Sequence, residues 1–179
     1  MTFILLIGLL GMFLVILFKR PIANLLGDGN PLVRRLKNAI WFQNHWKSGL
    51  FLFVMNAALF FTTCFVLYVF VYFFIPFVHF AVMFLAVTGS IILWLIINKA
   101  WEGTTKNRMK MGALGSSFYM IMAALFVCRL VRLKPSYPGD DPFMAAVGLM
   151  FAIIVVTVAF ITCFVITGFA MRKNQTNKV

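Results

Sequence analysis

Four apolar runs of 21 to 29 residues, at 50–75, 77–97, 111–133 and 143–171, restrict the fold more than any other feature of this 179-residue chain. A helix needs about 20 apolar residues to cross the hydrocarbon core of a bilayer. A soluble domain of this size exposes too much of its surface to hide such runs. The composition agrees: 63% of residues are hydrophobic and 11% charged, with 22 phenylalanines, against roughly 45–50% and about 25% in ordinary globular proteins. The expected fold class is therefore an all-α integral membrane protein, a single polytopic domain over residues 1–179.

A fifth run, Thr2–Phe18, is shorter and stops at Lys19-Arg20-Pro21. A secretory signal carries positive charge before its apolar core and small residues after it. Here no charged side chain precedes the run and Lys-Arg-Pro follows, so it reads as an uncleaved first span. The expectation is then five transmembrane helices, at 2–18, 50–75, 77–97, 111–133 and 143–171. A four-span alternative that drops the first run leaves the later helices in the same orientation, but places an apolar 17-mer in water.

Between the first two spans, residues 19–48 form a cytoplasmic or interfacial segment. Gly27-Asp28-Gly29-Asn30-Pro31 is turn chemistry, and Pro31 suits the first turn of a helix. Leu32, Val33, Leu36, Ala39 and Ile40 recur at helical spacing, with Arg34, Arg35, Lys37 and Asn38 elsewhere on the wheel. This predicts a basic amphipathic helix over about 31–47, lying in the membrane plane with Trp41 and Trp46 at the interface. Its cations are candidates for holding anionic lipid headgroups. Pro76 marks a tight turn between the second and third spans. Lys99–Lys110 reads as a polar loop, Lys134–Pro142 as an irregular loop, and 172–179 as a polar cytoplasmic tail.

Charge orients the chain. With five spans, 13 of the 16 basic residues fall on one side: Lys19, Arg20, Arg34, Arg35, Lys37, Lys47, Lys99, Lys106, Arg108, Lys110, Arg172, Lys173 and Lys178. Only Arg129, Arg132 and Lys134 fall on the other. Excess Lys and Arg mark the cytoplasmic face, which gives an N-out, C-in topology. The net charge of +12 thus follows from topology, and no nucleic-acid partner is expected. Short loops fit a multi-pass protein of a plasma membrane, most economically a bacterial inner membrane.

Several chemistries lack their residues. The four carboxylates, Asp28, Glu102, Asp140 and Asp141, all lie in predicted loops, whereas proton-coupled transport commonly uses ionisable groups within the membrane. His45 and His79 fall on opposite sides, about a bilayer thickness apart, and cannot share a metal within one chain. Cys64, Cys128 and Cys163 lie in apolar runs without paired spacing. No nucleophile elbow, zinc-binding HExxH or phosphate-binding Walker loop occurs. No cofactor, metal or catalytic residue is expected, and the chain reads as a non-enzyme.

What remains are packing signals. In the fifth span Ala145, Gly148, Ala152, Ala159, Cys163, Thr167 and Ala170 fall on one helical stripe. Gly112, Ser116, Tyr119 and Ala123 form a shorter one on the fourth. Close approach over small residues is how membrane helices associate, so these stripes predict a close helix contact within the chain or with another. Asn56, with Thr63 seven residues on, is an intramembrane amide expected to bond to another helix. Arg129 sits where it can snorkel or meet a headgroup. The leading functional expectation is a non-catalytic accessory or regulatory subunit of a larger membrane assembly, with other membrane subunits or itself as partners. Two alternatives are an anionic-lipid-binding protein and a small oligomeric channel or transporter for an ion or neutral solute. A path would be lined by Asn56, Thr62, Thr63, Thr88, Ser90, Ser116, Ser117 and Thr157.

Overall fold

The computed structural model describes residues 31–73, 78–135 and 142–169. The predicted span at 2–18, Ala170 and the tail at 172–179 lie outside the described residues. Within them the chain is helical and has no strand: α1 (Pro31–Asn38), a 3-10 turn (Ile40–Gln43), α2 (His45–Tyr72), α3 (Val78–Ala100), α4 (Thr105–Val131) and α5 (Phe143–Gly168). The last four are each long and apolar enough to cross a membrane. At 1.5 Å per residue they measure about 35–42 Å, against a hydrocarbon core of about 30 Å. All six prolines fall outside them, so no backbone hydrogen bond is interrupted by a missing N–H.

Helix boundaries depart from the sequence reading at the basic end. The amphipathic helix expected over 31–47 is α-helical only to Asn38. Ala39 turns extended (φ −79°, ψ 108°), the 3-10 turn follows, and Asn44 is extended again (φ −88°, ψ 118°). The Asn44 Oδ1 accepts from the Trp46 backbone N–H at 3.0 Å, which satisfies an orphan donor at the start of α2. That cap lets α2 begin five residues before the apolar run. The expected polar loop at 99–110 shrinks to 101–104, because α3 continues to Ala100 and the Thr104 hydroxyl caps α4 by accepting from Asn107 N at 3.4 Å.

In the bundle α4 lies between α2 and α5, while α3 packs against both of those neighbours and α1 rests on α3. Burial is concentrated at one end. Buried positions are Ser48, Gly49, Leu52 and Asn56 on α2, Ile91 and Trp94–Asn98 with Ala100 on α3, Met111, Gly112, Gly115, Ser116, Phe118 and Tyr119 on α4, and Val156, Thr162, Cys163 and Ile166–Gly168 on α5. Because the helices alternate in direction, these stretches share the end that carries the basic residues. At the far end Tyr68, Tyr72, Phe84, Leu85, Val131 and Met144 are each at least 68% exposed. In a bilayer such surfaces face lipid or another helix rather than water.

Glycines set how closely the helices approach. A Cβ at Gly115 would lie 2.3 Å from Leu52 Cγ, and one at Gly49 would lie 2.8 Å from Leu114 Cδ2. Each helix thus offers a leucine to a glycine of the other. Gly112 meets α5 in the same manner, with Gly168 Cα, Gly168 N and Thr167 Oγ1 each 3.0 Å from its Cβ position. Phe118 adds edge-to-face contacts across the α2–α4 seam to Phe53 (5.6 Å) and Phe60 (5.7 Å), each worth about 0.5–1.5 kcal/mol beyond area burial.

These contacts predict that Gly115→Val and Gly112→Val each destabilise the detergent-solubilised protein by about 1–3 kcal/mol, through overpacking. Gly89, with nothing within 4 Å of its Cβ position, should accept valine at little cost. Thermal unfolding followed by circular dichroism measures the difference.

Candidate functional site

The polar side chains of the buried end form two connected groups, and each begins with a carboxamide. On α2 Asn56 is fully buried. Its Nδ2 donates to the Gly115 carbonyl of α4 at 3.0 Å and to Cys163 Sγ of α5 at 3.5 Å. Its Oδ1 accepts from Trp94 Nε1 of α3 at 2.9 Å. One side chain therefore contacts all three other spanning helices, and the Asn56 amide keeps none of its polar atoms unpaired in an apolar surround. Bare Gly115 is what admits it: Leu52 lies over that glycine one turn before Asn56, so both residues use the same α2–α4 contact.

The second group lies at the basic boundary. Asn98, near the end of α3, is 2% exposed. Its Nδ2 donates to the carbonyls of Ile166, Phe169 (2.9 Å) and Thr167 (3.4 Å). The last carbonyls of a helix have no partner within it, so Asn98 serves as the cap of α5 from a neighbouring helix. Its Oδ1 accepts from Arg108 Nη1 at 3.0 Å, while Arg108 Nη2 donates to the Trp101 carbonyl at 2.8 Å. A guanidinium placed at the C-terminal ends of α3 and α5 meets the negative ends of both helix dipoles. Gln43 completes the boundary, donating to the carbonyls of Lys37 (3.2 Å) and Ala100 (3.3 Å) and accepting from Glu102 N (3.2 Å). Lys37 and Glu102 form a half-exposed ion pair at 2.8 Å, worth about 0–1 kcal/mol in such surroundings.

The residues singled out by sequence divide between inside and outside. Ala159 packs against the core, and Cys163, Thr167, Gly112 and Ser116 are buried where α4 meets α5. That half of the small-residue stripe is occupied within the chain. Ala145 and Gly148 are exposed, and nothing lies within 4 Å of the Gly148 Cβ position; Ala152 and Ala123 are half-buried. Thr63 does not join Asn56 but donates to Leu59 O of its own helix at 2.7 Å. Ser90, Ser116, Ser117 and Thr157 likewise return to carbonyls three or four residues back. Such local bonds leave these hydroxyls turned to their own backbones rather than gathered along a path.

Arg34, Arg35, Trp41, Trp46 and Arg129 are exposed. Arg34 and Arg35, with Pro31 and Asn38, line a concavity of about 440 Å³. Antiparallel topology sets His45 and His79 at opposite ends of the bundle, and no group of three or more His, Cys, Asp or Glu side chains forms among the described residues. Sequence reasoning passed over Asn98, Gln43, Arg108 and Trp101. The available signal was an amide at the edge of an apolar run, Ile96-Ile97-Asn98, matching the Asn56 signal in kind.

Asn98→Leu removes the amide that caps the end of α5 and anchors Arg108. It should lower stability by about 1–3 kcal/mol, whereas Thr62→Ala, at an exposed site, should stay within about 0.5 kcal/mol; chemical unfolding in mixed micelles reads both. These geometries stand alone as evidence for what the protein does, because no family model, curated protein or solved structure matches the chain.

Proposed function

We propose that this membrane protein is a non-catalytic accessory or regulatory subunit of a larger membrane assembly, docking through the uncovered half of its helices. One observation carries the reading. The bundle closes on itself at the basic end, yet at the other end the small-residue stripe of α5 continues through Ala145 and Gly148, both exposed among the described residues. Small residues on a membrane helix permit the close backbone approach that a second helix needs. The local bonding of the intramembrane hydroxyls favours this reading over a channel or transporter. The charge asymmetry favours the basic end in the cytoplasm, and the short loops favour a plasma membrane.

A second reading, retention of anionic lipid, is favoured by the Arg34–Arg35 concavity and by exposed Trp41 and Trp46 at the same end. The two readings are compatible, since a subunit can be positioned by lipid as well as by protein.

Purification of the native chain in mild detergent should yield a complex with another membrane protein or with further copies. Gly148→Leu should reduce that association severalfold without lowering the unfolding temperature of the chain. A partner-free monomer contradicts the subunit reading. For the second reading, Arg34→Gln with Arg35→Gln should lower the anionic lipid that co-purifies, quantified by lipid mass spectrometry.

A further inference from the structure

The junction between α3 and α4 contains two buried donors with no acceptor, Trp101 Nε1 and Arg108 Nε. Trp101 is 2% exposed. The two residues belong to one joint, because Arg108 Nη2 holds the Trp101 carbonyl at 2.8 Å. Buried N–H groups are nearly always paired, and Gln43 and Asn98 in the same region use both ends of their amides. Two vacant donors on residues that share one joint of this well-satisfied region call for an acceptor that the described residues do not supply.

The charge of that acceptor follows from its surroundings. Among the described residues Glu102 is the one carboxylate, and it pairs with Lys37. The half-buried Arg108 guanidinium is bonded only to neutral oxygens, those of Asn98 and Trp101. It lies in the first turn of α4, whose N-terminus adds partial positive charge, and Lys106 and Lys110 flank it in sequence. Helix starts of this kind with backbone and cationic donors favour oxyanions. Gly103 gives a geometric sign. A Cβ there would lie 2.7 Å from Trp101 Cζ2 and 3.1 Å from Nε1, so the group beside the indole N–H has no side chain. Gly103 belongs to the exposed 102–104 loop.

We propose that Trp101 Nε1 and Arg108 Nε together bind one phosphate group at the basic-end junction of α3 and α4, with Gly103 giving way to admit it. A phosphate group is anionic and has several acceptor oxygens able to take both donations, and Arg forms charge-assisted bonds to it. The group is either the phosphodiester of a lipid headgroup at the basic face of the bundle or free phosphate. The site is independent of the subunit reading and distinct from the Arg34–Arg35 concavity.

The test is native mass spectrometry of the full chain in detergent, titrated separately with phosphatidylglycerol and with inorganic phosphate. Wild type should retain one equivalent of at least one probe. Retention of the lipid alone assigns the headgroup, and retention of inorganic phosphate assigns the free ion. Trp101→Phe preserves the ring and loses only the N–H, and it should weaken the retained probe about tenfold. Arg108→Gln should weaken it at least as much, while Thr62→Ala, on the outer face of α2, should leave it unchanged. If neither probe is retained by wild type, or if Trp101→Phe binds as wild type does, the site does not exist.

Discussion

The Asn56 carboxamide is the interaction on which the rest of the bundle depends. It is the one described side chain whose hydrogen bonds reach all three other spanning helices, through Trp94, Gly115 and Cys163. Between membrane helices there is no hydrophobic force of the kind that drives soluble cores, because lipid tails are as apolar as leucine. Association then relies on close packing and on polar groups that would be costly to leave unpaired. At Asn56 both operate at one place, since the glycine that accepts its hydrogen bond also receives Leu52.

This arrangement explains why burial gathers at one end. Glycines at 49, 112 and 115 bring α2, α4 and α5 together near the basic boundary, and Asn98, Arg108 and Gln43 tie off the helix ends that meet there. The alternating helices bring the C-terminal ends of α3 and α5 to the same boundary, where a guanidinium and two amides satisfy their carbonyls. Towards the far end Tyr68, Tyr72, Phe84, Leu85, Val131 and Met144 stand exposed, so the described helices pack less closely there.

Much of the fold was legible in the sequence, for a physical reason. Long apolar runs have few alternatives to spanning helices, and the four described spans fall where the runs are. Asn56 was also readable, because an amide amid leucine and phenylalanine must find a partner. The break at Ala39 was not readable, since the apolar positions 32, 33, 36, 39 and 40 fit a helix whether or not it continues. Neither was the role of Asn98. Its acceptors are carbonyls near the end of α5, about 70 residues away, and only the assembled bundle shows which helix ends meet. Trp101 and Arg108 appeared as loop residues for the same reason. The small-residue stripe on α5 announced a close contact but not how far it extends; the structure uses its second half internally.

A double-mutant cycle between Asn56 and Trp94 addresses the central claim most directly. Unfolding free energies of wild type, Asn56→Ala, Trp94→Phe and the double variant are measured in the same micelle. If the amide ties the helices together, the two substitutions are non-additive, with a coupling of about 1 kcal/mol. Additivity within about 0.3 kcal/mol would contradict the account, and would mean that glycine-mediated packing and the Asn98 group hold the basic end closed without Asn56.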